Sequence, residues 1–427
     1  MTGLQGERTG QDGARSGALV TTCRSADLLA VSLMFVFVMS AVTLSLMPVV
    51  TAELRTSIGL TDAQIGLLTS VFMGFYGAAG ILSGIGAARW GGRLLGVSCG
   101  CFVVGSLIFA LSSGFPGFLV GRAIQGIGGG MVVATCNPVL AHTLSREQHG
   151  RALGIMGIGF GLGTMVALFV MPPIQSAGGY RATFLATAGL GFAVGVAVLA
   201  QRAVRALPCH PEGTTSLRGL AVSLGAVATN SRVIILGLCN AAGLALGVGA
   251  LAWAPSFLQD VHGSSEIASV YLIAGLGAAQ AIGNPLGIVA AKRWGKFPAL
   301  VVGVVLTLVT TVIVGIVPGV PLIAAMVIVA GFFGMFYFPV MLAYIPEVVG
   351  RPEQVGPATG VNTLMGFIGS LVAPWIFGLI LDAGGRSEGS YVAGFLMLGV
   401  FGVVALVGLV VFKALGTPVD APALDEQ

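Results

Sequence analysis

The 427-residue chain is 56% hydrophobic and only 8% charged, with a formal net charge of +4. Soluble domains carry roughly 25% charged residues, so this chain has too few charges to cover a water-facing surface. The composition excludes a soluble globular protein and predicts one that is embedded in a lipid bilayer. The basic residues lie in short loops between apolar runs, which indicates a membrane-topology signal rather than a nucleic-acid-binding face.

Twelve apolar runs follow one another along the chain, each close to the ~20 residues that a helix needs to cross a bilayer. Continuous runs of this length are too long for barrel strands. The sequence therefore predicts an all-α membrane protein with twelve transmembrane helices. In chain order, the predicted spans cover residues 28–50, 63–86, 94–112, 116–140, 152–174, 182–201, 233–256, 267–290, 298–317, 320–344, 357–381 and 391–412.

A polar segment rich in proline and arginine separates the first six spans from the last six. We predict a tail at 1–26, a six-helix bundle at 27–201, a linker at 202–232, a second six-helix bundle at 233–413, and a tail at 414–427.

The distribution of lysine and arginine predicts the orientation of the chain in the membrane. With both termini in the cytoplasm, sixteen of the 20 basic residues fall in cytoplasmic segments and one, Arg122, lies inside a span. Only Arg55, Arg181 and Arg386 then face the opposite side. Because this bias sets orientation, we expect a multi-pass protein of the cytoplasmic (inner) membrane with cytoplasmic tails and a cytoplasmic linker.

The two groups of spans repeat each other. "GIGAARWGGR" at Gly84–Arg93 is echoed by "GIVAAKRWGK" at Gly287–Lys296, and aligning their Arg-Trp-Gly triplets gives an offset of 204 residues. The Ala-Gly-Gly turns at Ala177 and Ala383 give an offset of 206. Both halves start on the same side, so we predict pseudo-symmetric bundles related by an axis along the membrane normal. Rocking one half against the other exposes a central solute to each side in turn, which favours a transporter.

Twelve spans in a six-plus-six repeat, with a basic glycine-rich loop after spans 2 and 8, resemble the major facilitator superfamily. The family's usual acid is missing from both loops, where Ala88 and Ala291 stand instead. The resemblance implies that these loops gate the pathway, without the latch that the acid makes. The implied gating residues are Gly84, Arg89, Gly91, Arg93, Arg293, Gly295 and Lys296.

"GRAIQGIGGG" in span 4 resembles a second motif of the same family, with Arg122 and Gln125 at matching places. Many drug-exporting antiporters of the family carry a Gly-Pro motif in span 5, but this chain has no proline there before Pro172. The start of span 2, "LTDAQIGLLTSVFMGFYG", resembles family members that carry organic anions.

Arg122 is the one charged residue that we place inside a span. A charge in apolar surroundings is costly and often marks function. The planar fork of its guanidinium suits a substrate carboxylate. The alternative is a structural arginine that bonds to backbone carbonyls.

Other polar or aromatic residues near mid-span are also candidates for contact with a solute. Helix packing is the alternative for each of them, because polar side chains also bond between membrane helices. These candidates are Tyr76, Gln125, Asn240, Gln280, Asn284 and Phe336.

No acid lies near the middle of a span, so the sequence offers no obvious proton carrier and leaves a coupling ion open. It contains no Walker lysine motif, zinc-protease motif or serine-elbow motif, and no cysteine pair at metal-ligand spacing. We therefore expect no enzyme, no cofactor and no metal site. The expected partners are a small-molecule substrate and the bilayer, without nucleic acid, and the expected state is a monomer.

These observations predict a secondary active or facilitative transporter that moves a small organic anion or other polar metabolite by alternating access. Efflux of hydrophobic or drug-like compounds is the alternative within transport. From another class, the alternative is a membrane receptor or assembly factor that keeps the fold but moves nothing.

Overall fold

The computed structural model describes residues 23–90, 92–143, 146–201, 204, 225, 227, 229–349 and 352–415. This part of the chain contains thirteen helices and no strand. We number them α1 (Cys23–Leu44), α2 (Met47–Thr56), α3 (Asp62–Trp90), α4 (Arg93–Leu111), α5 (Phe115–Thr143), α6 (Arg146–Ala200), α7 (Ser231–Asp260), α8 (Glu266–Ile273), α9 (Gly275–Trp294), α10 (Lys296–Val314), α11 (Val320–Val349), α12 (Pro352–Gly384) and α13 (Glu388–Ala414).

Ten segments of the described chain are long and apolar enough to cross a membrane, compared with twelve predicted spans. One of them, Ile158–Ala200, has 43 residues and is folded at Gly178 and Gly179, whose backbone angles are not helical. In addition, α5 has 29 residues but is not among the ten. Dividing the long segment and adding α5 would give twelve crossings, so the number twelve stays a prediction.

Two of the crossings are interrupted helices. α1 and α2 together make the first crossing and are separated at Ser45 and Leu46. Pro48, the second residue of α2, has no backbone N–H for the helical ladder. α8 and α9, separated at Ala274, make the second interrupted crossing. α6 breaks at Gly179, which has φ of +67°, at the point where the long segment would divide into two crossings. The Glu53 carboxylate then accepts a 2.6 Å hydrogen bond from the backbone N–H of Tyr180, and so caps the second part of α6.

The helices pack as two groups, α1–α6 and α7–α13, which meet along two seams. α3 packs against α12 in one seam, and the first part of α6 packs against α9 in the other. Glycine permits these close approaches. A Cβ atom at Gly66 would lie 2.3 Å from the Pro374 carbonyl oxygen, and one at Gly161 would lie 2.3 Å from the Gly277 carbonyl oxygen.

We call the end of the molecule that carries the turns 57–61, 112–114, 261–265, 315–319 and 385–387 the outer end, after its predicted orientation. The largest apolar cluster lies toward this end and is continuous across the halves, joining Leu54 and Leu68 to Trp253 and Phe377. Toward the opposite end, the described residues form separate clusters, one in each half. The halves are therefore packed together at the outer end.

Apolar side chains also cover the outside of the helix groups, as a bilayer requires. On α13, Val400, Val403, Val407 and Val410 are each more than half exposed. An exposed apolar stripe of this kind suits contact with lipid tails rather than water.

The basic repeats are more helical than the sequence predicted. α3 continues to Trp90 and α9 to Trp294, so Gly84 and Arg89 lie in a helix instead of a loop. α4 already begins at the exposed Arg93, while Gly91 and the Arg89 side chain lie outside the described residues. In the second copy, Gly295 alone makes the turn, with φ of +90°.

α6 ends at Ala200 and α7 begins at Ser231, and the predicted division into domains stays a prediction. Most of the predicted linker and most of both predicted tails lie outside the described residues, so their assignment stays a prediction.

Candidate functional site

Arg122 lies completely buried between α1, α3 and α5. Its Nη1 donates a 2.8 Å hydrogen bond to the Thr43 carbonyl at the end of α1, and its Nε donates a 3.2 Å bond to the Leu68 carbonyl. The guanidinium also lies 4.3 Å from the centre of the Phe72 ring. Arg122 therefore fastens the broken first crossing to its neighbours, which favours the structural alternative raised by the sequence.

One nitrogen of this guanidinium stays unused. Nη2 of Arg122 is buried and has no hydrogen-bond partner among the described residues. No described Asp or Glu forms a salt bridge with it either. A buried cation without a counter-ion retains an unsatisfied attraction for an anion.

Gln125 is buried beside Arg122 and bonded on both ends of its amide. Its Oε1 accepts a 3.1 Å bond from Nη1 of Arg122, and its Nε2 donates a 2.8 Å bond to the hydroxyl of Ser106 on α4. These two bonds make Gln125 part of the packing that orients the arginine.

Tyr76 lies at the boundary between the two halves. Its hydroxyl is 3.3 Å from that of Ser40 on α1, and its ring centre is 4.5 Å from that of Phe367 on α12. Only 5% of Tyr76 is exposed. The predicted mid-span tyrosine is thus a contact residue of the α3–α12 seam.

Asn240 is buried in α7 and pairs with Asn362 of α12, a residue that the sequence analysis did not select. Nδ2 of Asn240 donates to the backbone carbonyl of Asn362 at 3.1 Å and to its side-chain oxygen at 3.0 Å. The Asn240 Oδ1 and the Asn362 Nδ2 have no partner among the described residues. The sequence signal that could have indicated Asn362 is that it, like Asn240, lies inside a predicted span.

The remaining candidates belong to α9 and α11. Gln280 is 9% exposed and its Oε1 has no described partner, while Asn284 is half-buried. Phe336 is buried against Phe332 and Phe333, and its backbone meets α9 at Gly287. Phe336 therefore contributes to helix packing.

The seven candidates form several small groups rather than one cluster. Arg122 and Gln125 touch each other in the first half, and Asn240, Gln280, Asn284 and Phe336 belong to the second half. α12 connects the two sets, because Gly366 packs against Asn240 while the adjacent Phe367 packs against Tyr76.

The basic residues of the second repeat make contacts within their own half. Lys296 forms a salt bridge with Glu347 and donates a 3.0 Å hydrogen bond to the Ala343 carbonyl. Arg293 is exposed. These contacts tie α10 to α11, and the gating role implied by the family resemblance stays a prediction.

A network of charged residues joins the two halves at the outer end. Asp62, at the start of α3, is 1% exposed and accepts from Arg55 at 2.8 Å and from Arg386 at 2.6 Å. Arg55 also contacts Asp260 at 3.2 Å, and the Tyr391 hydroxyl donates to Asp260 at 2.5 Å. Arg386, Asp260 and Tyr391 belong to the second half, so the network crosses the boundary.

Asp382 adds a further link across the same boundary. Its two carboxylate oxygens accept hydrogen bonds from the backbone N–H groups of Asp62 at 2.8 Å and Ala63 at 2.9 Å. The end of α12 thereby caps the start of α3, where a negative charge is favoured by the helix dipole. Sequence reasoning placed Asp62 and Asp382 at span ends but missed their association.

Two cavities open at the outer end. One of about 490 Å³ is lined by Glu53, Gln175, Ser176, Gly179, Ser265, Glu266 and Ile267. Another of about 400 Å³ is lined by Asp62, Asp260, Leu381, Asp382, Gly385 and Arg386. None of the seven mid-span candidates lines either cavity.

The protein has two repeated groups of membrane helices that meet along two seams, and a network of charged residues joins them at the outer end. This architecture defines a polytopic membrane transporter. The family model for the Major Facilitator Superfamily matches residues 29–314 and 271–427. The chain belongs to this superfamily, whose members carry small molecules across membranes and are not enzymes.

Curated relatives are transporters of several kinds. The chain is similar to the hexuronate transporter of Bacillus subtilis (strain 168), with 24% identity over 86% of this chain and 92% of the relative. A probable chloroplastic anion transporter 4 of Oryza sativa subsp. japonica is 30% identical over 34% of this chain. That match spans only 25% of the rice protein's own length.

Solved structures share the fold. A bacterial homologue of the human lysosomal transporter Spinster, crystallised in an inward-facing and occupied conformation, has a TM-score of 0.72. It is 18% identical, over 92% of this chain and 96% of that one. A point mutant of the nucleoside transporter NupG has a TM-score of 0.71 at 14% identity, over 91% of this chain and 100% of that one.

Proposed function

We propose that this protein carries a small organic anion across the cytoplasmic membrane by alternating access, as a monomer with both termini in the cytoplasm. The observation that carries the proposal is the distribution of the apolar core. Among the described residues, this core is continuous between the halves at the outer end and forms separate clusters in the two halves toward the other end. Such a packing suits one of the two states between which a rocking transporter alternates.

Two observations support an anion as the substrate. The relatives include transporters named for hexuronate, for ascorbate and for anions in general. Within the fold, Arg122 is a buried cation that has no described counter-ion, and the NH2 group of its Nη2 has no described hydrogen-bond partner. A positive charge held away from water attracts a carboxylate more strongly than an exposed one does.

Arg122 acts in this proposal mainly through its fixed charge. Three of its hydrogen bonds hold it to Thr43, Leu68 and Gln125, so the guanidinium keeps its position while the halves move. The polar groups of Tyr76, Gln280 and Asn284 are the proposed contacts for the neutral part of the solute.

Purified protein in liposomes would test the proposal by comparing glucuronate with glucose. These hexoses share a ring and differ at the carboxylate, so their comparison isolates the effect of the charge. We expect labelled glucuronate, galacturonate or ascorbate to accumulate at least about tenfold faster than glucose, equivalent to ~1.4 kcal/mol of discrimination. Empty liposomes and an excess of unlabelled solute are the controls.

Other outcomes would identify the alternatives. Equal entry of glucose and glucuronate would contradict an anion carrier. Movement of hydrophobic amphiphiles without uptake of any acid would indicate efflux. No transport of either class, together with a protein that co-purifies in constant proportion, would indicate a receptor or assembly factor. A proton or sodium gradient imposed on the same liposomes tests for a coupling ion.

A further inference from the structure

Arg386 has an unusual backbone. Its φ is +56°, and it is the one residue other than glycine with positive φ in the described part of the chain. A side chain with a Cβ is strained in this region, and such residues persist where the surroundings hold them. The strain calls for a compensating contact.

The side chain of Arg386 makes that contact across the boundary between the halves. Its Nε donates to Oδ2 of Asp62 at 2.6 Å, while Arg55 occupies Oδ1 of the same carboxylate. Asp62 is 1% exposed, and guanidinium groups from opposite halves of the protein bind its two carboxylate oxygens. Removing either partner would leave a buried charge incompletely compensated.

The same carboxylate is anchored through its backbone. The N–H groups of Asp62 and Ala63 both donate to Asp382, so the start of α3 is capped by the opposite half. Separation of the halves here would break a charged pair and uncap a helix in one movement. Because these contacts would be lost together, we expect the seam to open in a two-state transition rather than gradually.

The internal repeat indicates that only one of the two seams has this contact. With the 206-residue offset of the Ala-Gly-Gly turns, Tyr180 takes the place of Arg386 and Ser176 that of Asp382. The α6–α9 seam consequently has no counterpart of the Arg386 contact. Nearby, Oε1 of Glu266 is buried without a partner among the described residues.

We infer that Arg386, Asp62, Arg55 and Asp382 form a clasp that holds α3 and α12 together at the outer end, and that the strained Arg386 backbone is relieved when the clasp opens. The inference rests on the proposed alternating access. It adds that outward opening proceeds by parting the α3–α12 seam, with the clasp setting how often this occurs.

The test measures opening without any substrate. A cysteine at Leu371, which packs against Gly74 in this seam, lies about 16 Å from Asp382 along α12. In a background without native cysteines, its reaction with a membrane-impermeant maleimide added from outside reports exposure of the seam. The clasp variants are Arg386→Gln, which removes the charge but keeps a side chain at the strained position, and Asp62→Asn, which keeps the shape of the side chain.

Both variants should increase the labelling rate about tenfold, within the usual range of coupling between sites. The matched control is Arg181→Ala, which removes an exposed outer arginine whose bonds, to Tyr180 and Ser113, stay within one half. Its labelling rate should stay within about twofold of the parent, a difference well below that coupling range.

Equal labelling of the parent and both clasp variants, in protein with an unchanged elution profile, would overturn the clasp. If Asp62→Asn fails to fold, Arg386→Gln still decides the question, because that side chain is partly exposed. Faster labelling without uptake of any acid would retain the clasp and reject the proposed substrate.

Discussion

Arg122 illustrates what the sequence reveals about a single residue. Its charge inside an apolar run predicts that it is special, and both its functional and its structural interpretations were visible. The carbonyl of Thr43 was not predictable as its partner, since it becomes available at a helix break that hydropathy does not detect. Composition therefore identified the residue, and the fold identified its partners.

Replacing Arg122 with lysine tests the structural role. The substitution keeps the charge but loses the fork that reaches Thr43 and Leu68 together. Hydrogen bonds from charged groups contribute roughly 1.5–3 kcal/mol each, so we expect a stability loss of about 2 kcal/mol. A thermal unfolding curve in detergent, followed by intrinsic fluorescence, measures this change.

Arg181→Lys provides the matched control for the Arg122 variant, because Arg181 is exposed and lies at the outer end. Its melting temperature should equal that of the parent. If Arg122→Lys instead has the melting temperature of the parent but a higher KM for the anion, the result would indicate that Arg122 contacts the substrate directly.

The asparagine pair offers a second prediction, which compares two truncations. Asn240→Ala removes the donor of both bonds, whereas Asn362→Ala leaves its backbone carbonyl available to Asn240. We expect Asn240→Ala to cost about 1 kcal/mol more stability than Asn362→Ala, the net value of one hydrogen bond. Thermal unfolding measured on both variants checks the order. The reverse order, or a change in KM alone, would contradict a packing role.

At the scale of helices, the apolar runs located most crossings but misplaced several ends. α3 extends four residues past its predicted span, through Arg89 to Trp90. Hydropathy reports where a helix leaves the bilayer, whereas hydrogen bonding decides where it ends. The abundance of glycine predicted close helix contacts, but the sequence did not indicate which glycines lie in the seams between the halves.

Gly161 tests the α6–α9 seam. In Gly161→Ala, the new methyl group would lie 2.3 Å from the Gly277 carbonyl oxygen, and backbone atoms cannot rotate away as a side chain can. We expect the two helices to separate and the uptake rate to fall at least about tenfold, because overpacking a tight contact costs typically 1–3 kcal/mol. Initial uptake rates in liposomes measure the effect.

Gly189→Ala is the control on the same helix, since nothing lies within 4 Å of a Cβ atom at that position. This variant should transport like the parent. If Gly161→Ala were equally active, the close approach of α6 and α9 would have no part in transport.

For the whole molecule, the internal repeat predicted two similar halves, and the fold has two helix groups with paired seams. The repeat could not predict how the halves differ. The α3–α12 seam carries charged residues at its outer end, while the corresponding positions of the other seam include Tyr180 and Ser176. A duplicated sequence preserves the fold of each half, whereas the proposed clasp depends on charged residues that the other copy does not repeat.

The orientation of the whole molecule can be measured with single cysteines at Ser57, Pro318 and Arg293 in a cysteine-free background. Ser57 and Pro318 are exposed in outer turns of the first and second half, and Arg293 is exposed at the opposite end. Because basic residues concentrate at cytoplasmic ends, we expect impermeant maleimide to label the first two in intact cells. Arg293→Cys should react only after the membrane is permeabilised. If only Arg293→Cys is labelled in intact cells, the orientation is the opposite of the predicted one. The clasp would then close the pathway toward the cytoplasm.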